Sequence, residues 1–152
     1  MPNRYSKNLT ATKDYVSSVT LVITGLDLEP EQVTKILEMP PTRSWKRGQE
    51  KVFRSGRTHV YPWGGWKLFQ SDETMKMPLE KQLEYWASLL APKTASLRQL
   101  RGMDCAAVLD CYLSISETAS VPVSAELLEK IAGCGVEIEL NCFASGDNSG
   151  NQ

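Results

Sequence analysis

Residues 106–143 read AAVLDCYLSISETASVPVSAELLEKIAGCGVEIELNCF, and this stretch decides the fold class. Apolar and polar residues alternate through 106–116, which predicts a β-strand with one buried face. Ser124 is a preferred N-cap residue, and apolar residues follow it at helical spacing until Gly133. The stretch therefore predicts a strand followed by an amphipathic helix.

A second strand is predicted directly after that helix, because alternation returns in residues 136–143. One face of this strand carries Glu137 and Glu139. Charged side chains on one face are typical of a sheet that is covered on one side only. The other face is apolar and includes Cys142, which we expect to pack in the core together with Cys111 of the preceding strand.

The first half of the chain repeats this strand–helix plan. β-branched residues in 19–24 predict a strand that ends at Gly25, and an amphipathic helix follows until Pro40 and Pro41. A long helical pattern that starts at Pro78 separates the two halves. This order predicts an α+β fold, a ferredoxin-like two-layer sandwich whose mostly antiparallel sheet carries helices on one face, and it suggests two βαβ-type halves.

The length of 152 residues corresponds to one domain. We expect a flexible N-terminal segment over 1–15, a single α+β domain over 16–143 and a disordered tail over 144–152, because both ends are polar and aperiodic. No segment has the apolar length of a signal peptide or a membrane span. Together with four cysteines that lack zinc-ligand spacing, this pattern indicates a cytoplasmic protein with reduced thiols and no membrane partner.

Basic residues are concentrated between Thr42 and Arg57, although the formal net charge of the chain is only -1. Six of the 17 lysines and arginines lie there with one of the 18 acids, so 11 basic and 17 acidic residues remain elsewhere. Aromatic residues are interleaved with these cations, as in many binding surfaces. The candidate binding residues are Arg43, Trp45, Lys46, Arg47, Arg54, Arg57 and Trp63.

The tryptophans do not all support a binding role equally. Trp66 and Trp86 lie on periodic apolar faces, so both are predicted to belong to the core. Trp45 is flanked by Ser44 and Lys46, and the sequence leaves open whether its ring is exposed or buried.

Several segments resemble a bacterial family known as domain of unknown function 4279. They include LVITGLDLEPEQVTKILEMPPTRSWKRGQ (21–49), GGWKLFQ (64–70), LEKQLEYWASLLAPKTASLRQL (79–100), CYLSIS (111–116) and VSAELLEKIAGCGVEIELNCF (123–143). The resemblance covers about residues 19–143. Its most specific part is a Pro-Thr pair followed by a glycine, here Pro41, Thr42 and Gly48.

This resemblance implies a compact α+β domain with ferredoxin-like architecture in a bacterial cytoplasm. Members of the family look like accessory or immunity-type proteins, and no activity is implied. The basic extension EKVFRSGRTHVYP (50–62) is less typical of the family, so the binding residues placed there rest on this sequence alone.

No motif for nucleophilic catalysis or for a phosphate cradle occurs, and His59 is the only imidazole that could act as a base. We therefore expect no catalytic residue and no cofactor. Asp110 could lie beside Glu137 and Glu139 on neighbouring strands, where three carboxylates would bind Mg²⁺. Acids on an exposed sheet face more often serve solubility, so no metal site is predicted.

Two functional hypotheses follow from the basic segment. The first is a non-enzymatic protein-interaction module, immunity-like in character, that binds an acidic protein surface. The alternative is a nucleic-acid-binding protein, or a weak metal-dependent nuclease, whose cations contact phosphates while its aromatic rings stack on bases. Exposed strand edges add a homodimer to the expected partners.

Overall fold

The computed structural model describes residues 15–145, which form a five-stranded sheet, a two-stranded hairpin and a layer of helices. The strands are β1 (Tyr15–Gly25), β2 (Arg43–Trp45), β3 (Glu50–Val52), β4 (Thr58–Val60), β5 (Gly64–Leu68), β6 (Ala106–Ile115) and β7 (Glu137–Ala144). The helices are α1 (Pro30–Leu37), α2 (Asp72–Met75), α3 (Leu79–Leu90), α4 (Thr94–Gly102) and α5 (Ala125–Cys134), with a 3-10 turn at Ala91–Lys93. The predicted flexible segment 1–15 and tail 144–152 lie outside the described residues, except for Tyr15, which begins β1, Ala144, which ends β7, and Ser145.

The sheet has the order β2-β5-β1-β6-β7 and confirms the predicted α+β fold. All neighbouring strands are antiparallel except β6 and β7, which are parallel. β5 lies between β1 and β2, and β1 lies between β5 and β6, so two split βαβ units interleave. The two halves suggested by the sequence are therefore not equivalent, because β1 and β2 flank another strand whereas β6 and β7 are direct neighbours.

The core lies between one face of the sheet and the helices. It combines inward residues of β1 and β6 with apolar residues of α1, α3, α4 and α5. Trp66 and Trp86 are both fully buried in it, as predicted. In the described part of the chain, no helix has both the length and the apolar composition needed to cross a membrane.

Polar side chains fasten the helices to the sheet at defined points. The indole Nε1–H of Trp86 donates to the backbone oxygen of Val19 at 3.2 Å, and that of Trp66 donates to Thr34 Oγ1 at 3.0 Å. The fully buried amide of Gln82 donates to the backbone oxygen of Ser17 at 3.1 Å. These bonds satisfy buried N–H donors that would be costly to leave unpaired, so they favour one packing of α1 and α3 on the sheet.

No helix of residues 15–145 covers the opposite face of the five-stranded sheet. Side chains of β1 alternate between buried positions and partly exposed ones such as Thr20 and Val22. Glu137 and Glu139 of β7 are exposed, which agrees with the prediction of a sheet covered on one side. We call this uncovered side the open face.

The prediction that Cys142 packs in the core is wrong. Cys111 is buried, but Cys142 is exposed and Leu140 retains 59% of its accessible surface. β7 is the last strand of the sheet and has a neighbour only on the β6 side. The helix layer does not cover the second half of this edge strand, so an apolar alternation there does not produce burial.

Candidate functional site

The segment between α1 and β5 leaves the sheet as a hairpin and returns to it. The backbone N–H of Gly48 donates to Tyr61 O at 2.8 Å, and that of Tyr61 donates to Gln49 O at 3.0 Å. These two bonds extend the β3–β4 ladder down to the sheet. Gly48 adopts a φ of 82°, a left-handed conformation that glycine accepts without strain, so it makes the turn into the hairpin.

Thr42 fixes the start of this segment to the edge of the sheet. Its backbone N–H donates to Lys67 O at 2.8 Å, and its Oγ1 accepts the N–H of Phe69 at 3.0 Å. Thr42 and Gly48 therefore shape the backbone of this segment. They position the neighbouring side chains rather than forming a binding surface themselves.

Trp45 lies on the open face, directly above Gly65. A Cβ atom at Gly65 would stand 2.0 Å from the indole, so only glycine allows the ring to lie this close to the strand. The indole Nε1–H donates to the backbone oxygen of Trp63 at 3.1 Å. Trp45 is only 8% exposed, which decides the question that the sequence left open.

Aromatic rings continue from Trp45 along one face of the hairpin. Tyr61 stacks on Trp45 with a centroid distance of 4.9 Å, and His59 meets Tyr61 edge-on at 5.0 Å. Across the ladder His59 lies opposite Lys51, whose Nζ is 5.0 Å from the ring of Phe53. The rings, together with Lys51, therefore follow one line from the sheet to the hairpin tip.

Cations accompany this line of rings. Lys67 places its Nζ 5.5 Å from the Trp45 ring, and Arg43 Nη2 donates to Tyr61 Oη at 3.5 Å. Arg57 extends the line at the tip, where its backbone oxygen accepts the N–H of Phe53 at 2.9 Å. We call this surface the aromatic-cationic row, made of Arg43, Trp45, Lys51, Phe53, Arg57, His59, Tyr61 and Lys67.

Arg43 and Lys67 stand directly opposite each other in the β2–β5 register. Like charges in this position weaken a sheet unless something neutralises them. Neither side chain forms an ion pair with a carboxylate of residues 15–145. The positive charge of this pair is therefore not compensated by the described part of the chain.

Lys46 and Arg47 are placed differently, although they were predicted as part of the same site. Lys46 Nζ is 2.7 Å from Glu29 Oε2, and Arg47 Nη2 is 2.8 Å from Asp27 Oδ1. The hydrogen bond to Glu29, reinforced by the charge of that carboxylate, raises the pKa of Lys46. These two cations connect the segment to the loop before α1 and are already neutralised.

The remaining predicted residues are exposed. Arg54 lies at the hairpin tip beside Arg57, and Trp63 retains 49% of its accessible surface. Sequence reasoning left Lys67 out of the site because it belongs to the following strand. The signal that could have found it is the pair Gly64-Gly65, since a glycine inside a strand often marks a close approach of another group.

The strand acids form a hydrogen-bonded cluster on the open face. Asp110 lies opposite Glu139, and the amide Nδ2 of Asn141 donates to Asp110 Oδ1 at 2.6 Å and to Glu139 Oε1 at 3.4 Å. Among residues 15–145 there is no group of three or more His, Cys, Asp or Glu arranged to hold a metal ion. An amide thus occupies the space between the two carboxylates.

The buried cysteines have the properties of packing residues. Burial, together with the charge of Asp110, raises the pKa of Cys111 to about 12, so its thiol stays protonated at neutral pH. Burial also raises the pKa of Cys105, with a contribution from Asp104. Neither thiol is suited to act as a nucleophile.

The fold and this surface define a class: a small α+β domain with one uncovered sheet face and a projecting basic hairpin. Comparison with models of known protein families identifies the family of the chain. The model described as Domain of unknown function (DUF4279) matches residues 13–143, and the chain belongs to this family. No curated protein and no solved structure matches the chain.

Proposed function

We propose that this protein is a non-enzymatic interaction module that binds an acidic surface of a partner protein through the aromatic-cationic row. The observation that carries the proposal is the uncompensated pair of Arg43 and Lys67, held beside the stacked rings of Trp45 and Tyr61. Two opposed cations cost the sheet stability, and a carboxylate placed between them would remove that cost.

Preorganised aromatic neighbours support this role. Lys67 is held over an indole, and Arg43 is held by a phenol hydroxyl, so both side chains lose little further freedom when a partner binds. Arg, Tyr and Trp are also the residue types that dominate protein–protein hot spots. The row therefore combines charge complementarity with a rigid support.

The hairpin supplies apolar surface that a partner would cover. Val52 and Val60 lie on the hairpin face opposite the aromatic-cationic row and retain 68% and 52% of their accessible surface. Phe53, which belongs to the row, retains 45%. An isolated two-stranded hairpin is only marginally stable in water. Burial of these side chains against a partner would stabilise the hairpin and add to the binding free energy.

Two features favour a protein over a single-stranded nucleic acid. Trp45 is covered by Gly65 on one side and by Tyr61 on the other, so its ring is not free to stack on a base. The same open face also carries Asp110 and Glu139. A phosphate backbone is charged at every nucleotide and would meet these acids when laid across the sheet, whereas a protein partner can confine its carboxylates to the β2–β5 end. An immunity-type role in a bacterial cytoplasm, in which binding neutralises a partner, is compatible with such a module.

Affinity capture from lysate of the source cells tests the proposal, using three forms of the protein. The variant Arg43→Gln/Lys67→Gln removes the uncompensated pair, and Lys46→Gln/Arg47→Gln removes the same charge from the neutralised pair. We expect the parent and the second variant to retain one acidic protein that the first variant loses, with nuclease treatment of the lysate making no difference. Capture that needs intact nucleic acid, or that the first variant retains, would contradict the proposal.

A further inference from the structure

The other edge of the sheet carries a second surface that the proposed function does not use. β7 has a strand neighbour only on the β6 side, so in the described chain its outer backbone groups face away from the sheet along Glu137–Ala144. An edge of this length is a template for pairing with another strand. By contrast, the β2 edge is three residues long and begins with an arginine.

Apolar side chains are exposed on both faces of this edge. On the helix side, Leu140 retains 59% of its accessible surface, and Cys142 is exposed as well. On the open face, Phe143 is 50% exposed and stacks on Tyr112 with a centroid distance of 4.8 Å. An added strand would cover apolar groups on both sides at once, which a helix or loop laid over one face would not do.

We propose that β7 pairs antiparallel with β7 of a second copy of this chain. The two copies are related by a two-fold axis that passes midway between their Leu140 residues. Such an axis is perpendicular to the sheet and keeps the open faces of both copies on the same side. Residues directly opposite each other then share a face. Leu140 meets its own counterpart, Glu139 meets the partner's Asn141, and Ile138 meets the partner's Cys142.

The charge pattern of β7 allows a second copy of the chain as the occupant and excludes some of the possible registers. The acids Glu137 and Glu139 lie in the first half of β7, and apolar or amide side chains occupy the second half. Antiparallel pairing of identical strands therefore brings acids opposite Phe143 and Asn141. An axis at Ile138 or at Glu139 would instead set glutamates against each other, which is destabilising.

The dimer would place the two aromatic-cationic rows at opposite ends of one continuous sheet, because β2 and β7 are the two outer strands. The interface and the row share no residue. Failure of the dimer would therefore leave the proposed function untouched, and failure of partner capture would leave the dimer untouched.

Light scattering coupled to size exclusion, in reducing buffer at about 50 µM, tests the proposal. The parent should elute at twice the chain mass of 16.9 kDa. Leu140→Lys should raise the dissociation constant at least about tenfold, because two ammonium groups would meet at the axis. Leu128→Lys is the matched control, since Leu128 is also exposed but lies on α5, and it should stay dimeric. A monomeric parent, or a dimer unaffected by Leu140→Lys, would overturn the proposal; the first result would point to a strand of a different protein as the occupant.

Disulfide trapping tests the register. Ile138→Cys should form an intermolecular bond with the native Cys142 under mild oxidation, because opposite Cβ atoms in an antiparallel pair are close enough for a disulfide. In the parent, each Cys142 would lie opposite Ile138 of the other copy, four residues away from the other Cys142. At the usual rise per residue the two thiols would be about 13 Å apart along the strands, so they should not form a disulfide. Rapid linkage of the parent through Cys142 would place the axis elsewhere and contradict the register.

Discussion

Trp66 and Trp45 stand on adjacent strands and on opposite faces of the same sheet. Trp66 lies opposite Ser44 in the register and points into the core, where it is fully buried. Trp45 lies opposite Gly65 and points to the open face, where it is also largely buried, but by a glycine and a tyrosine. Burial alone therefore does not separate a core residue from a site residue. The difference is in the neighbours, because those of Trp45 include two cations that pair with no carboxylate within residues 15–145.

The largest effect should come from removing either tryptophan. We expect Trp66→Ala to lower the free energy of unfolding by about 3–5 kcal/mol, as for other large core truncations. Trp45→Ala should cost less, about 1–3 kcal/mol, because none of the described helices packs over its face of the sheet. Denaturant unfolding followed by circular dichroism measures both. Equal losses would mean that the open face is part of the core, and the distinction between the two faces would fail.

A side chain at Gly65 should displace Trp45 without touching the core. We expect Gly65→Ala to cost about 1–3 kcal/mol, because the added Cβ overlaps the indole and the ring must move. Gly102→Ala is the control, since no atom lies within 4 Å of the Cβ added there. Urea unfolding of both variants provides the comparison. If Gly65→Ala were neutral, the ring would not rest on the strand as described.

The two cation pairs should respond to neutralisation with opposite signs. Arg43→Gln/Lys67→Gln should raise stability by about 0.2–1 kcal/mol, because it removes like charges set opposite each other in a sheet. Lys46→Gln/Arg47→Gln should lower the melting temperature slightly, because it removes two surface ion pairs. Both shifts should shrink as salt rises. Thermal unfolding at low and high salt checks this. A loss of stability in the first variant would show that the contacts of Arg43 with Tyr61 and of Lys67 with Trp45 outweigh the repulsion between the two cations.

Much of the fold could be predicted from the sequence, because strand alternation and helical spacing report burial directly. The strand–helix–strand stretch from β6 to β7 and the long helix α3 follow this rule. Leu140 and Cys142 are exposed although they lie on the apolar face of their strand. Alternation distinguishes the two faces of a strand, but it does not reveal where the helix layer ends. The short helix α2 carries too few residues to show a period.

The candidate site could be predicted only as a segment. Charge counting found the basic tract, but it could not separate Arg43 from Lys46, because the separation depends on the carboxylates of Asp27 and Glu29 in another loop. Charge counting also missed Lys67. This residue is more than twenty positions from Arg43 in the sequence but lies directly opposite it in the β2–β5 pairing. The ion pairs and the strand pairing are tertiary contacts, and they cannot be predicted from the composition of one segment.

The most direct test of the account is a binding titration with an acidic polypeptide at several salt concentrations. Poly-L-glutamate can serve as the probe, with single-stranded DNA of matched charge as the comparison. We expect the parent to bind the polypeptide more tightly than the DNA, Arg43→Gln/Lys67→Gln to weaken polypeptide binding about tenfold, and Lys46→Gln/Arg47→Gln to change it less than about twofold. Equal weakening by the two double variants, or tighter binding to DNA, would contradict the claim that the uncompensated pair on the open face recognises an acidic protein.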